Sequence, residues 1–220
     1  MRNGDKTKTE TRISQILKVA KRLPFFTLDD LASVETDRAY LKVLLSRYAK
    51  SGKVARLKKG MYVSKEYFDL VEKRGRTNSF GEFLVGILYK PSYLSLEYVL
   101  HKRGVITESP NIVTAVSRNK TAVFSTPLGT YRYYSIREKL FTGFNTHRDG
   151  DYLIFEASLA KALFDFLYFR KYLLREVGAI AALRLNLDAV STSERKELAE
   201  YVRREGSTRM NNILKILWKN

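Results

Sequence analysis

The chain contains no cysteine, two histidines, four prolines and one tryptophan in 220 residues. The missing cysteine excludes disulfides, thiolate nucleophiles and cysteine-ligated zinc sites together. His101 and His147 fall in different expected elements, where a lone histidine is more often a surface or satisfied core residue than a ligand. No apolar run approaches the roughly 18 residues of a membrane helix. The N-terminus, MRNGDKTKTETR, leads into no apolar stretch, so no signal peptide is expected and the location is expected to be cytoplasmic. There is no Gly-x-x-x-x-Gly-Lys phosphate loop and no Gly-x-Ser-x-Gly elbow. No catalytic residue, cofactor or metal site is expected, and the chain is not expected to be an enzyme.

What the chain has in excess is positive charge, +17 overall. Residues 1–64 hold 15 Lys and Arg against 6 Asp and Glu, whereas the other 156 hold 25 against 17. The net positive charge per residue is therefore nearly three times as dense at the N-terminal end. That segment also carries the clearest pattern. A first helix is expected over 11–23, with Ile13, Ile16, Leu17 and Ala20 at helical spacing and Pro24 closing it. Lys18, Lys21 and Arg22 lie on its polar, solvated side. Thr27 and Asp30 form a Thr-x-x-Asp capping box ahead of a short helix with Leu28 and Leu31 inside. After a turn at Glu35 and Thr36, either Thr36 or Asp37 caps a helix over 38–51, ended by Gly52. The run VARLKKGMYVS then reads as a hairpin with Lys58, Lys59 and Gly60 at its tip. Helix, turn, basic helix and hairpin outline a winged helix-turn-helix.

With about 100° between successive residues, Leu41, Leu44, Leu45 and Tyr48 share one side of the 38–51 helix. Ala39, Val43, Ser46 and Lys50 share the other, flanked by Lys42 and Arg47. A face small and mildly apolar at its centre and cationic at its edges suits a DNA major groove, where Ala or Val meets thymine methyls and Lys or Arg reaches guanine edges or phosphates. The expected contacts to double-stranded operator DNA are Thr36, Arg38, Lys42, Val43, Ser46, Arg47 and Lys50 from the helix, with Arg56, Lys58 and Lys59 from the wing.

KEYFDLVEKRGRTN reads as a connecting helix and then a basic linker, which divides the chain into a DNA-binding domain over 1–73, a linker over 74–78 and a second domain over 79–220. The second domain opens with a helix capped by Ser79 and Glu82 and ended by Pro91, then a helix capped by Ser95 and stopped near Gly104. Strands are expected over 112–117, 121–126, 130–136, 140–144 and 151–157, in a mainly antiparallel sheet. Helices return from Ser158 to the end. The class is α+β: a winged helix-turn-helix followed by a mixed domain whose sheet is flanked by helices. Lys161 and Asp165 stand four apart on a helix and read as an ion pair rather than, with Asp151 and Glu156, as a nuclease site. Tyr131, Tyr133 and Tyr134 read as strand packing rather than base-stacking surface.

The segments FFTLDDLA and LSRYAKSGKVARLKKGMYV, then PSYLSLEYVLHKRGVITESP, KLFTGF and FEASLAKALFDFLY, resemble the AbiEi antitoxins over nearly the whole chain. The resemblance implies an antitoxin of a type IV toxin-antitoxin system. Its winged helix would repress its own operon, and its C-terminal domain would counteract a nucleotidyltransferase-like toxin encoded beside it. Two other classes stay open: a winged-helix transcriptional regulator whose C-terminal domain senses a small ligand, and an enzyme such as a nuclease with a DNA-targeting domain.

Overall fold

A computed structural model describes residues 12–219. The chain divides into two compact units. The continuous part of the first ends at Thr77, and the second is made of residues 78–125 and 129–220.

The first unit begins with α1, Arg12–Ala20. Thr11 of the expected helix lies outside the described residues, and beyond Ala20 the chain continues as turns, with Arg22 N–H donating to the Val19 carbonyl at 3.1 Å. β1, Phe26–Thr27, follows. Half of the expected Thr27–Asp30 capping box forms, the Thr27 N–H and hydroxyl both donating to the Asp30 carboxylate at 2.7 and 2.8 Å. What it introduces is not an α-helix. Residues 28–34 are a run of turns in which Leu31, Ala32 and Val34 each bond three residues back. Such a run still turns Leu28 and Leu31 inward, where both are buried.

Asp37 caps α2, Arg38–Lys50, by accepting from the N–H groups of Ala39 and Tyr40. β2, Val54–Lys58, and β3, Met61–Ser64, form the wing, and the sheet order is β1-β3-β2 with antiparallel pairs. Gly60 takes φ +77° at the tip, the left-handed conformation glycine adopts without steric cost. Phe26 and Tyr62 face each other across β1 and β3 with ring centroids 5.8 Å apart. Ile16, Leu31, Leu41, Leu45 and Val54 complete the core with them. Each fully buried side chain of this size contributes about 1.5–3 kcal/mol relative to exposure, which is what pulls a short and very basic segment together. The unit ends with α3, Lys65–Lys73, capped by Ser64.

α4, Thr77–Leu88, has all but its first residue in the second unit; it begins inside the expected linker and places Ser79 within the helix. The Ser79–Glu82 capping box does not form. Ser79 instead donates to Asp149, and Glu82 is buried. β4, Ser92–Leu94, lies where no strand was expected, in the PSYLS motif. α5, Leu96–Lys102, takes its cap from elsewhere too: Ser95 makes no side-chain cap bond, and the Tyr98 N–H donates instead to the hydroxyl of Thr114 at 3.1 Å. The Thr114 hydroxyl in turn donates to the Ser95 carbonyl at 2.7 Å. A strand residue thus does the capping and leaves the Ser95 hydroxyl free for Asp165.

β5 is Val113–Ser117, β6 Ala122–Thr126, β7 Gly129–Ser135, β8 Phe144–Asp149 and β9 Tyr152–Ala157. The expected 140–144 strand is replaced by a 3-10 turn over Glu138–Leu140 and the start of β8. The sheet is mixed, in the order β6-β7-β5-β4-β9-β8. β4–β9 and β5–β7 are parallel, and β4–β5 and β8–β9 antiparallel. The helices α6, Leu159–Arg170, α7, Val177–Ala181, α8, Thr192–Glu205, and α9, Thr208–Leu217, follow. α8 has the reciprocal Ser191–Glu194 capping box and ends at Gly206 with φ +87°. Gly143, in the FTGF motif, has φ +77°, and a Cβ there would lie 2.1 Å from the Tyr201 hydroxyl, so a side chain would be strained in the backbone and would displace the Tyr201 ring.

Candidate nucleic-acid interface

The Asp37 cap and the Leu41, Leu44 and Leu45 stripe fix both the start and the rotation of α2, and so decide which residues turn outward. Ala39, Lys42, Val43, Ser46, Arg47 and Lys50 are all exposed. Val43 is 52% exposed, an apolar side chain held in water at the centre of a cationic face. Lys42, Arg47 and Lys50 form no ion pair among the described residues, so no described carboxylate neutralises them. Thr36 is exposed just ahead of the helix, where the partial positive charge of the N-terminus adds to the field. Glu35, by contrast, is buried and accepts from the Asp37 N–H at 2.9 Å, which locks the entry to α2.

Arg38 differs from its neighbours. Its guanidinium is ion-paired with Asp29, from the turn that precedes the helix. Both groups are well exposed, so the bond is weak in stability, but it aims the side chain along the helix-turn junction rather than straight outward. On the wing, Arg56 and Lys59 are exposed and Lys58 is half-buried. The β2–β3 register shifts between Arg56 and Lys58, a bulge that twists the tip and separates these cations. The structure therefore sorts the expected contacts into a rigid set on α2 and a hairpin set on the wing. Lys53 was not anticipated. It stands 5.1 Å over the Tyr48 ring at the junction of α2 and β2, and its signal in sequence was only one more lysine after Gly52.

The second unit holds a polar cluster that sequence reading did not assemble. Lys102 Nζ donates to Glu82 Oε1 at 2.9 Å and Glu156 Oε2 at 2.6 Å. Arg103 pairs with the other oxygen of Glu156, and the Tyr98 hydroxyl donates to Glu82. Burial disfavours the Lys102 ammonium, but its bonds to Glu156 and Glu82 outweigh that and raise its pKa. Burial, with the Glu82 charge behind it, pushes the Tyr98 phenol well above its usual value. The ligand atoms of Glu82, His147 and Glu156 lie within 4.8 Å of one another, a spacing that suits a metal ion. The ammonium of Lys102 already occupies the position between the two carboxylates, so charge balance is met by the chain's own residues. His101 and His147 both line this pocket, although their elements are far apart in sequence. The available signal was an acidic residue, Glu82, on the buried side of an otherwise apolar helix.

Lys161 and Asp165 form the expected ion pair, and both are fully buried. Asp165 also accepts from Tyr93 and Ser95 at 3.1 and 2.8 Å, while Lys161 Nζ faces the rings of Phe164, Tyr201 and Tyr93. Burial pushes the Asp165 pKa up and the Lys161 pKa down, each opposed by the other's charge. Asp151 is exposed on the turn before β9 and Glu156 belongs to the Lys102 cluster, so the four residues form no common site. Tyr131 and Tyr133 are buried, which pushes the Tyr131 phenol up to about 12. Tyr133 donates to the Val85 carbonyl, and Tyr134 packs on Phe169, 5.1 Å between centroids, so these aromatics are packing.

No helix among the described residues is long and apolar enough to cross a membrane. No curated protein matches the chain. Residues 14–65 match the family model described as "Transcriptional regulator, AbiEi antitoxin", a span that takes in α1, the turn run, α2 and the wing. Across its helix-turn-helix and wing the chain is therefore similar to the AbiEi antitoxin transcriptional regulators.

Proposed function

We propose that this protein is a type IV antitoxin that binds the operator of its own operon through α2 and the wing, and that its second unit counteracts a nucleotidyltransferase-like toxin. The observation that carries the DNA half is the outward face of α2, where Lys42, Arg47 and Lys50 stand exposed and unneutralised around Val43 and Ser46. In this reading α2 enters the major groove, with Lys42, Val43 and Ser46 at base edges and Thr36, Arg47 and Lys50 at phosphates. Arg38 reaches the DNA from its Asp29 bond, and Arg56, Lys58 and Lys59 hold the flanking backbone or minor groove. The protein acts in the cytoplasm, where its operator is.

The toxin half rests on the likeness of the second-unit motifs to those of the antitoxin family. The neutralising residues are not assigned. The test of the DNA half is a gel-shift titration of the DNA upstream of the gene across salt concentrations, comparing wild type with K42A/R47A/K50A. The triple variant should fold normally, because none of the three packs in the core. It should lose a few kcal/mol of affinity, and its slope of log affinity against log salt should flatten by roughly 2 to 3. An unchanged slope refutes the assignment of this face.

A further inference from the structure

We propose that the second unit binds a small amphipathic anion, an apolar body of about ten carbons with one carboxylate, in a cavity between α4 and β8–β9. This inference goes beyond the reading above and depends on neither DNA nor a toxin. The cavity measures about 340 Å³. Phe83 and Ile87 of α4, Phe141, Phe144 of β8, and Leu153 and Phe155 of β9 line it. A cavity of about 150 Å³ with such a lining accommodates benzene, so roughly twice that volume takes a medium-length chain or a bicyclic ring.

The walls are set by packing that exists without a ligand. Phe144 stacks on buried Tyr93 with centroids 4.6 Å apart and meets the Phe141 edge at 5.2 Å, while Phe83 stacks on Tyr152 at 5.2 Å. The floor is open because position 86 is glycine. Gly86 lies within α4, where glycine weakens a helix relative to alanine. A Cβ there would meet only the Phe155 ring, at 3.5 Å, an ordinary contact. Backbone conformation does not call for glycine here, since its φ is not positive. The residue gives up helix stability and leaves space.

The polar groups at this cavity decide the ligand's chemistry. The Ser92 hydroxyl is already spent on the Val85 carbonyl at 3.1 Å. Lys90 is exposed at the rim and its ammonium has no ion-pair partner among the described residues. An occupant therefore meets hydrocarbon on nearly every side and one cation at the mouth. Decanoate has that distribution; decanol lacks the charge and decylammonium reverses it.

The experiment is calorimetric titration of the full chain with decanoate and decylammonium below their micelle concentrations and with 1-decanol below its solubility limit. Wild type should bind decanoate saturably at one site, at least tenfold tighter than decylammonium. K90Q should bring decanoate down to the affinity of decanol and leave decanol unchanged. G86L, which fills the floor, should abolish binding of all three. G86A should melt no lower than wild type while binding decanoate several-fold more weakly, and it keeps the test decisive if the leucine disrupts the fold. The proposal is overturned by the absence of saturable binding, as when the cavity serves only a protein side chain. Affinity indifferent to head-group charge, or unaltered in both Gly86 variants, overturns it as well.

Discussion

Removing either member of the Lys161–Asp165 pair should nearly unfold the second unit, whereas removing both should cost less than the two changes added. Neither side chain reaches solvent, so a survivor keeps its full desolvation cost without its partner. Lys161→Met leaves a buried carboxylate held only by the hydroxyls of Tyr93 and Ser95. Asp165→Leu leaves a buried ammonium among three aromatic faces and also strands those two hydroxyls. Breaking a buried pair from one side costs about 3–5 kcal/mol, against a total domain stability of about 5–15 kcal/mol. The aspartate variant should be the worse of the two, since each orphaned buried hydroxyl adds about 1–3 kcal/mol. In the double variant no charge is left unpaired, so a coupling energy at the upper end of about 0.5–3 kcal/mol is expected. Urea denaturation of the full chain followed by circular dichroism measures all four proteins. A Lys161→Met cost below about 1 kcal/mol, or strict additivity, would show that the two groups are buried as a neutral pair and refute this account.

Other expectations follow from the same structure. Changing Lys58 and Lys59 together to alanine should weaken operator and random DNA by similar factors, because a lysine on a hairpin tip acts as a point charge; changing Lys42 or Val43 should narrow the gap between the two DNAs by about 1 to 3 kcal/mol in a competition titration, and the reverse pattern would make the wing the reading element. Glu205 is held below its usual carboxyl range: burial opposes its charge, but bonds from Lys171 at 2.6 Å and the Ser207 N–H at 2.8 Å outweigh burial. A depressed carboxyl contributes stability that is present above its unfolded pKa of 4.5 and is lost as pH falls through the folded value, so Glu205→Gln should be less stable at neutral pH and lose less on acidification; parallel acid limbs in the denaturation midpoints would contradict this. A fragment starting at Thr77 keeps α4 whole and should fold, rescue cells expressing the toxin and fail to bind the operator; a folded fragment without rescue would tie neutralisation to the winged helix.

The elements that could be read from sequence are those whose information is local. α2 and the wing carry their cap, their apolar stripe and their glycine tip within their own residues, and the structure places them within a residue or two of the expected bounds. The cap of α5 was illegible because Thr114 supplies it from another strand, and Ser95 looked sufficient. β4 has only three residues, all buried, in a stretch whose neighbours favour helix. β8 is an edge strand reading Phe-Asn-Thr-His-Arg-Asp, with too few apolar residues to alternate. The Lys161–Asp165 pair was legible from its helical spacing, but its full burial was not, since that depends on strands and helices packed around it. The Glu82–Lys102–Glu156 cluster draws on α4, α5 and β9 and exists only once the sheet has closed.

The position of β4 has a consequence for how the chain is made. Leu94 pairs with Glu156, so one side of this central strand stays vacant until β9 has been synthesised. Parallel pairing over such a separation raises contact order and slows closure, whereas α2, β2 and β3 are neighbours in sequence and meet early. A chain truncated anywhere between residues 95 and 151 thus carries every element of the winged helix beside an apolar strand with a naked edge. Premature termination or proteolysis in that interval should yield sticky, DNA-competent fragments rather than inert ones.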